Sequence, residues 1–278
     1  MHDIVTRVAT RQEVETILDW AGREGWNPGL SDAAAFHATD PEGFYLTLAG
    51  TEPVAAVSVV NHSADLAFLG LYLCRPEFRG KGLGMATWNA ALAHAGPRTV
   101  GLDGVPAQQD NYRKSGFVLT GSSSRYEGAP LARPTTRVRP LTPEDMAAAI
   151  ALDAQANGYR RERFLTAWLA RDLARTSLVL EGSGTVVGFA TVRRCREGVK
   201  IGPVIAPDLD GALDLIAAAG TGAQDGKVIV DLPESNTALR AALLGAGFAV
   251  PFQTARMYRG TAPVTSPLLQ AIGTMELG

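Results

Sequence analysis

A chain of 278 residues with 46% hydrophobic composition can bury one large core or two ordinary ones, and its net charge of −2 excludes a general nucleic-acid or membrane-surface binder, which would carry a basic excess. The two cysteines, Cys74 and Cys195, stand far apart with no second Cys or His at metal-ligand spacing, which argues against a zinc site and for a reducing compartment. There is no signal-peptide pattern and no apolar run near the ~20 residues of a membrane helix. The expectation is a cytoplasmic protein without metal, nucleic-acid partner or membrane, as a monomer or homodimer.

Ile4 to Ala9 reads as a strand. Thr10 follows as N-cap with Glu13 as capping-box partner, and Val14, Ile17, Leu18 and Ala21 recur at helical spacing. Gly25-Trp26-Asn27-Pro28-Gly29 is a loop. Trp26 either lids the core or, with Asn27, walls a pocket, since loops carry binding groups. Asp32 is expected to cap a short helix reaching His37, a surface or packing histidine. Phe44 to Leu48 and Val54 to Val60 alternate as strands around a turn, and the almost wholly apolar Asp65 to Leu73 suits a central strand buried on both faces. Arg79-Gly80-Lys81-Gly82-Leu83-Gly84 then opens a helix with Met85, Trp88, Ala91 and Leu92 on one face. A strand at Thr99 to Leu102, a helix at Gln108 to Ser115 closed by Gly116, and a strand from Phe117 complete the first half.

The segment from Gly128 to Pro140 breaks the pattern as a linker, and Thr142-Pro143-Glu144-Asp145 restarts the strand-then-capped-helix opening. From there the second half echoes the first. Ser177 to Leu180, Val186 to Val192, Val199 to Ile205 and Val228 to Leu232 parallel the earlier strands, and Ala241 to Phe248 parallels the helix ending at Gly116-Phe117. Its chemistry is absent: Ala206-Pro207-Asp208-Leu209-Asp210 stands where the glycine cluster was, with acids that would repel a pyrophosphate, and Leu243 replaces Tyr112.

Glycines let successive N–H groups turn toward one anion, and a helix beginning there adds its positive end. Arg79 to Gly84 therefore reads as a phosphate cradle. It lacks the Gly-Lys-Ser/Thr ending of a P-loop. A dinucleotide-binding turn is the nearer rival, with Asp103 about twenty residues on, but five residues separate the strand from the glycines and Thr87 occupies the third glycine position.

Arg79, Gly82 and Gly84, followed by Tyr112, Gly116 and Phe117, together resemble the two signatures of the GNAT acyltransferases. The resemblance covers residues 1 to 127 directly. It implies a mixed α/β (α+β) fold of two tandem GNAT-like domains, each a mostly antiparallel twisted sheet flanked by helices: a catalytic domain over 1–128, a linker over 129–138 and a degenerate copy over 139–278. It implies acetyl-CoA as co-substrate, with Leu71, Tyr72 and Leu73 along the pantetheine and Arg79, Gly80, Lys81, Gly82, Leu83 and Gly84 around the pyrophosphate. It implies direct attack by the primary amine of a small molecule, with Tyr112 as acid for the leaving thiolate. The glutamate that many members carry on the central strand is missing, with Phe68 near its place. Asp103 is then the best-placed carboxylate for deprotonating or binding the amine, unless it merely starts a turn, and Trp26 and Asn27 are candidates for the acceptor wall. Tyr159, Arg160 and Arg161 could join that wall, though surface positions suit the arginines better. The two-domain layout is similar to a bacterial group that includes kasugamycin N-acetyltransferases, which implies an aminoglycoside-type acceptor. The alternatives are a non-catalytic acyl-CoA-binding or regulatory module and a nucleotide-dependent oxidoreductase.

Overall fold

The computed structural model describes residues 3–278. The first half runs β1 (Ile4–Val8), α1 (Arg11–Arg23), α2 (Asp32–Thr39), β2 (Phe44–Ala49), β3 (Glu52–Asn61), β4 (Leu66–Cys74), α3 (Leu83–His94), β5 (Thr99–Gly104), α4 (Gln109–Lys114) and β6 (Val118–Gly128). The second repeats it: β7 (Val138–Pro140), α5 (Met146–Asn157), α6 (Glu162–Leu169), β8 (Arg175–Gly182), β9 (Thr185–Arg194), β10 (Val199–Ile205), α7 (Leu209–Gly220), β11 (Val228–Pro233), α8 (Thr237–Gly245) and β12 (Ala249–Arg259), with a short β13 (Leu269–Ala271) added.

The two halves do not form two sheets. All strands join one sheet in the order β1-β2-β3-β4-β5-β12-β6-β11-β10-β9-β8-β7, with β13 paired to β10 off this path. The last strand of each half has crossed into the other: β12 lies between β5 and β6, and β6 lies against β11. Only β4–β5 and β10–β11 are parallel. Apolar side chains gather in three clusters. One is shared, built from α1 and α2 of the first half and α5 and α6 of the second, where Phe36 stacks on Trp168 at 6.0 Å. The other two lie under α3 and under α7.

The capping box of Thr10 and Glu13 forms as the sequence requires, and Thr142 with Asp145 forms its counterpart. Three local expectations are corrected. Asp32 does not cap α2; its buried carboxylate accepts from Gly29 N at 2.8 Å and pairs with Arg175 and Arg193 from the second half, whose guanidinium groups flank the Trp168 ring. Met85 is 41% exposed, while Thr87 is buried on that face, its hydroxyl bonded to Leu83 O and Thr47 Oγ1. Arg161 is fully buried rather than at the surface, paired with Asp153 and bonded to Gly278 O.

His62 anchors the end of the chain. Its Nε2 lies 2.7 Å from Leu277 O, which can only accept, so Nε2 carries the proton, and Nδ1 is buried without a partner. Burial, reinforced by the Arg161 charge, pushes its pKa down to about 4. The folded ring stays neutral while an unfolded one protonates near ~6.5. Stability should therefore fall as pH drops from about 6.5 to about 4. In urea titrations across that window, His62→Gln should flatten the slope; an unchanged slope would remove His62 as its source.

Candidate active site

The site begins with a fault in β4. Its pairing to β5 runs from Leu66↔Thr99 to Leu69↔Leu102 and stops. Leu71 has φ +49 and the register against β3 shifts there, so the strand bulges and swings away from β5. From Gly70 to Cys74 the edge toward β5 is unpaired, leaving backbone donors and acceptors for an extended ligand. Leu71, Tyr72 and Leu73 thus sit where an amide-bearing chain can lie.

At the far end of that edge, Gly80 (φ +74) and Gly82 (φ +78) take left-handed conformations that only glycine adopts without strain. Gly82 is the N-cap of α3 and no side chain caps the helix. The N–H groups of the first turn therefore face a groove of about 480 Å³ with their dipole uncompensated. Arg79 borders it, tethered to Cys74 O and Glu24, and Lys81 lies over the Phe78 ring. The matching end of the second half differs: Asp208 caps α7 by accepting from Gly211 N at 2.8 Å. There the gap between β10 and β11 is filled by β13, which pairs with β10 at Val204↔Ala271 and Ile205↔Leu269.

Between the strands, the groove opens onto a small cavity of about 60 Å³. Tyr112 projects from α4 to its wall, 6% exposed, with its ring stacked on Trp88 at 5.5 Å and 16°. Burial raises the pKa of its hydroxyl above the ordinary phenol value. Trp26 lies on the boundary between groove and cavity, which favours the wall reading of that tryptophan. Asn27 is elsewhere, exchanging hydrogen bonds with the Glu197 backbone of the second half.

Asp103 borders the cavity, but its side chain is fully buried and committed to Arg256 of β12, with Nε–Oδ1 2.9 Å and Nη2–Oδ2 2.6 Å. Burial pushes its carboxyl up against the opposing pull of Arg256. Thr254 Oγ1 adds a bond at 3.3 Å. The pseudo-equivalent pair in the other half is Asp231 with Arg125 of β6, at 2.8 and 3.1 Å. Although burial raises it, Asp231 is held below its usual value by Arg125 and Lys200. Each exchanged strand thus delivers one arginine to a buried aspartate of the other half. Arg125, Phe252, Thr254, Met275 and Glu276 also line the cavity, and sequence reading missed all five. A signal for the arginines existed: Arg125 and Arg256 each stand nine residues after the glycine of a Gly-Phe pair. Tyr159 packs against His62 and Arg160 pairs with Glu162, so neither reaches the cavity. Among the described residues no cluster of His, Cys, Asp and Glu could hold a metal ion, and no helix is long and apolar enough to cross a membrane.

Residues 11–117 match the acetyltransferase (GNAT) family and residues 149–270 an acetyltransferase (GNAT) domain. The chain is 35% identical over 277 residues to a holothin acyltransferase of Pseudoalteromonas sp. (strain SANK 73390), covering 98% of this chain and 94% of that protein. Its fold is similar to a putative acetyltransferase from Pyrococcus horikoshii, with a TM-score of 0.83 at 21% identity over 99% of this chain and 96% of the other. A tandem GNAT protein from the clavulanic acid biosynthesis pathway matches with a TM-score of 0.60 at 16% identity over 92% and 98%. With both halves matched and a full-length relative at this identity, the chain belongs to the GNAT acyltransferases, as two GNAT domains in tandem.

Proposed function

We propose that the protein transfers an acetyl group from acetyl-CoA to the primary amine of a small molecule. The observation that carries this is one continuous track: the uncapped α3 N-terminus with left-handed Gly80 and Gly82, the unpaired β4 edge, and Tyr112 at the cavity where that edge ends. On this reading Gly80 to Gly84 hold the pyrophosphate, Arg79 and Lys81 add charge, and the Leu71–Leu73 backbone pairs with the pantetheine amides. A strand N–H beside the bulge receives the negative charge developing on the carbonyl oxygen. The amine nitrogen bonds to the carbonyl carbon, the carbon–sulfur bond breaks, Tyr112 protonates the departing thiolate, and the proton that the nitrogen then loses on becoming the amide restores the phenol through solvent. Residues 1–128 carry the chemistry, while 139–278, beyond the connection at 129–138, close the pocket.

Two acceptors are compatible with this reading. An aminoglycoside such as kasugamycin follows from the sequence layout, and holothin follows from the full-length relative. The cavity supports an acceptor with one amine on an apolar body over a polycation: Trp26, Leu69, Leu71, Phe252 and Met275 form much of its wall, with Asp103 and Glu276 as its only acids. Titration calorimetry with acetyl-CoA, with NAD as control, tests the donor. One acetyl-CoA per chain and no NAD heat are expected. Two per chain would mean that β13 leaves the second site open, and NAD binding alone would overturn the reading. Thiol release in parallel assays with holothin and kasugamycin then ranks the acceptors.

A further inference from the structure

The segment after β13 does not stay at the edge of the fold. After β13 fills the gap of the second half, residues 272–278 cross to the first and wall its cavity. This crossing is pinned closely. Ile272 N donates to Asp231 O at 3.0 Å, Thr274 Oγ1 accepts from the N–H groups of Glu276 and Leu277, His62 holds Leu277 O, and Arg161 holds Gly278 O. Gly70 on the β4 bulge touches it so closely that an added Cβ would lie 2.0 Å from Glu276 O.

One polar group in this arrangement has nothing to bind. Glu276 is 5% exposed and lines the cavity, yet among the described residues its carboxylate makes no hydrogen bond and no ion pair. The other charged side chains on the wall are already matched, Asp103 by Arg256 and Arg125 by Asp231. Arg125, Arg193 and Lys200 feel the Glu276 charge, but Arg193 is paired with Asp32 and Lys200 donates to Trp26 O at 2.8 Å. Its oxygens are not among the fully enclosed atoms without a partner, so they open onto the cavity, where a charged donor can reach their unused lone pairs.

We propose that Glu276 is the acceptor-recognition residue: its carboxylate binds the substrate as an alkylammonium and takes the one proton that must leave before the nitrogen lone pair can attack. The step balances as ammonium plus carboxylate giving amine plus carboxylic acid, with the proton passing to water after turnover. The residue deepens the acyltransfer reading above and rests on it for the second part of the step, but not for the first. It also fits the cavity, because a single unpaired acid selects one ammonium group and leaves the apolar walls to the rest of the acceptor.

The test uses the full chain saturated with CoA and two isosteric probes, benzylamine and benzyl alcohol, titrated calorimetrically at neutral pH. A charge-assisted bond to Glu276 should make wild type prefer the ammonium by about tenfold or more. Glu276→Gln should lose that preference with an unchanged melting temperature, and Glu276→Asp should retain part of it. No preference in wild type overturns the assignment whether or not any variant folds, and so does a preference that survives in Glu276→Gln. Acetyl transfer to benzylamine, followed by thiol release, tests the acyltransfer reading separately. Ammonium selectivity without transfer would sink that reading and leave the Glu276 site standing.

Discussion

Replacing Tyr112 with Phe should lower kcat by about 10²- to 10³-fold and leave acetyl-CoA affinity within about twofold. The substitution removes one oxygen atom. The ring keeps its stack on Trp88, and Trp88 keeps its edge contacts with Tyr72 and Phe117, so the fold is not the variable. On the proposed mechanism, what disappears is the proton for the departing thiolate. The hydroxyl is not set to be a base: burial holds its pKa above the ordinary value, so the protonated form persists further into alkaline pH than for a free phenol. Wild-type kcat should then hold an alkaline plateau to at least about pH 10. A break in kcat well below that, absent from the Phe variant, would instead indicate a phenolate role, and an unchanged kcat in the variant would remove Tyr112 from the chemistry. Stopped thiol-release assays across pH give both readings.

The second large effect is one of stability. Arg256→Met should destabilise the protein by about 3–5 kcal/mol, because it strands the Asp103 carboxylate in a buried site with only Thr254 as donor. Burial acts against the Arg256 charge and Asp103 more than offsets it, so the guanidinium is held above its ordinary range, and the pair survives as a unit. Adding Asp103→Asn should recover most of the loss, since removing both charges removes the desolvation penalty that one alone would leave. Urea melts of the two single variants and the double one close the cycle. If the double variant is as unstable as the sum of the singles, the two residues do not act as a pair, and the exchanged strand is held by its backbone ladder alone.

What could be read from the sequence was local. The cradle from Arg79 to Gly84 is legible because left-handed glycines and a helix start are consecutive, and Tyr112 because it sits four residues before a glycine that closes its own helix. The apolar run of β4 named its own burial. The site's other half was not legible, because its parts meet only through the fold. Asp103 and Arg256 are 153 residues apart and Asp231 and Arg125 are 106 apart, and neither an aspartate at a strand end nor an arginine in a strand announces its partner. Asp103 looked like a free carboxylate for that reason. Arg161 looked like a surface residue because helix-flanking arginines commonly are, whereas here Asp153 and the end of the chain enclose it. Glu276 stands in a tail with no periodicity; only the path of β13 and the residues after it shows where that side chain goes. The order of elements predicts two sheets, since each half is complete by itself. Exchange of β6 and β12 satisfies the same pattern of alternation, and nothing in the alternation distinguishes one partner from the other.

That exchange bears on how the protein comes into being. As the chain is synthesised, the first half emerges with the edge of β5 open, because the strand that covers it, Ala249–Arg259, is made only after all the strands from β6 to β11. β6 likewise waits for β11 and β12 on its two sides. A ribosome adding ~5–20 residues per second leaves those edges exposed for many seconds, during which two nascent chains can donate β12 to each other instead of to themselves. Crowded polysomes, or overexpression, should therefore favour interlocked dimers with native pairing in every strand, while dilute refolding should favour the single chain.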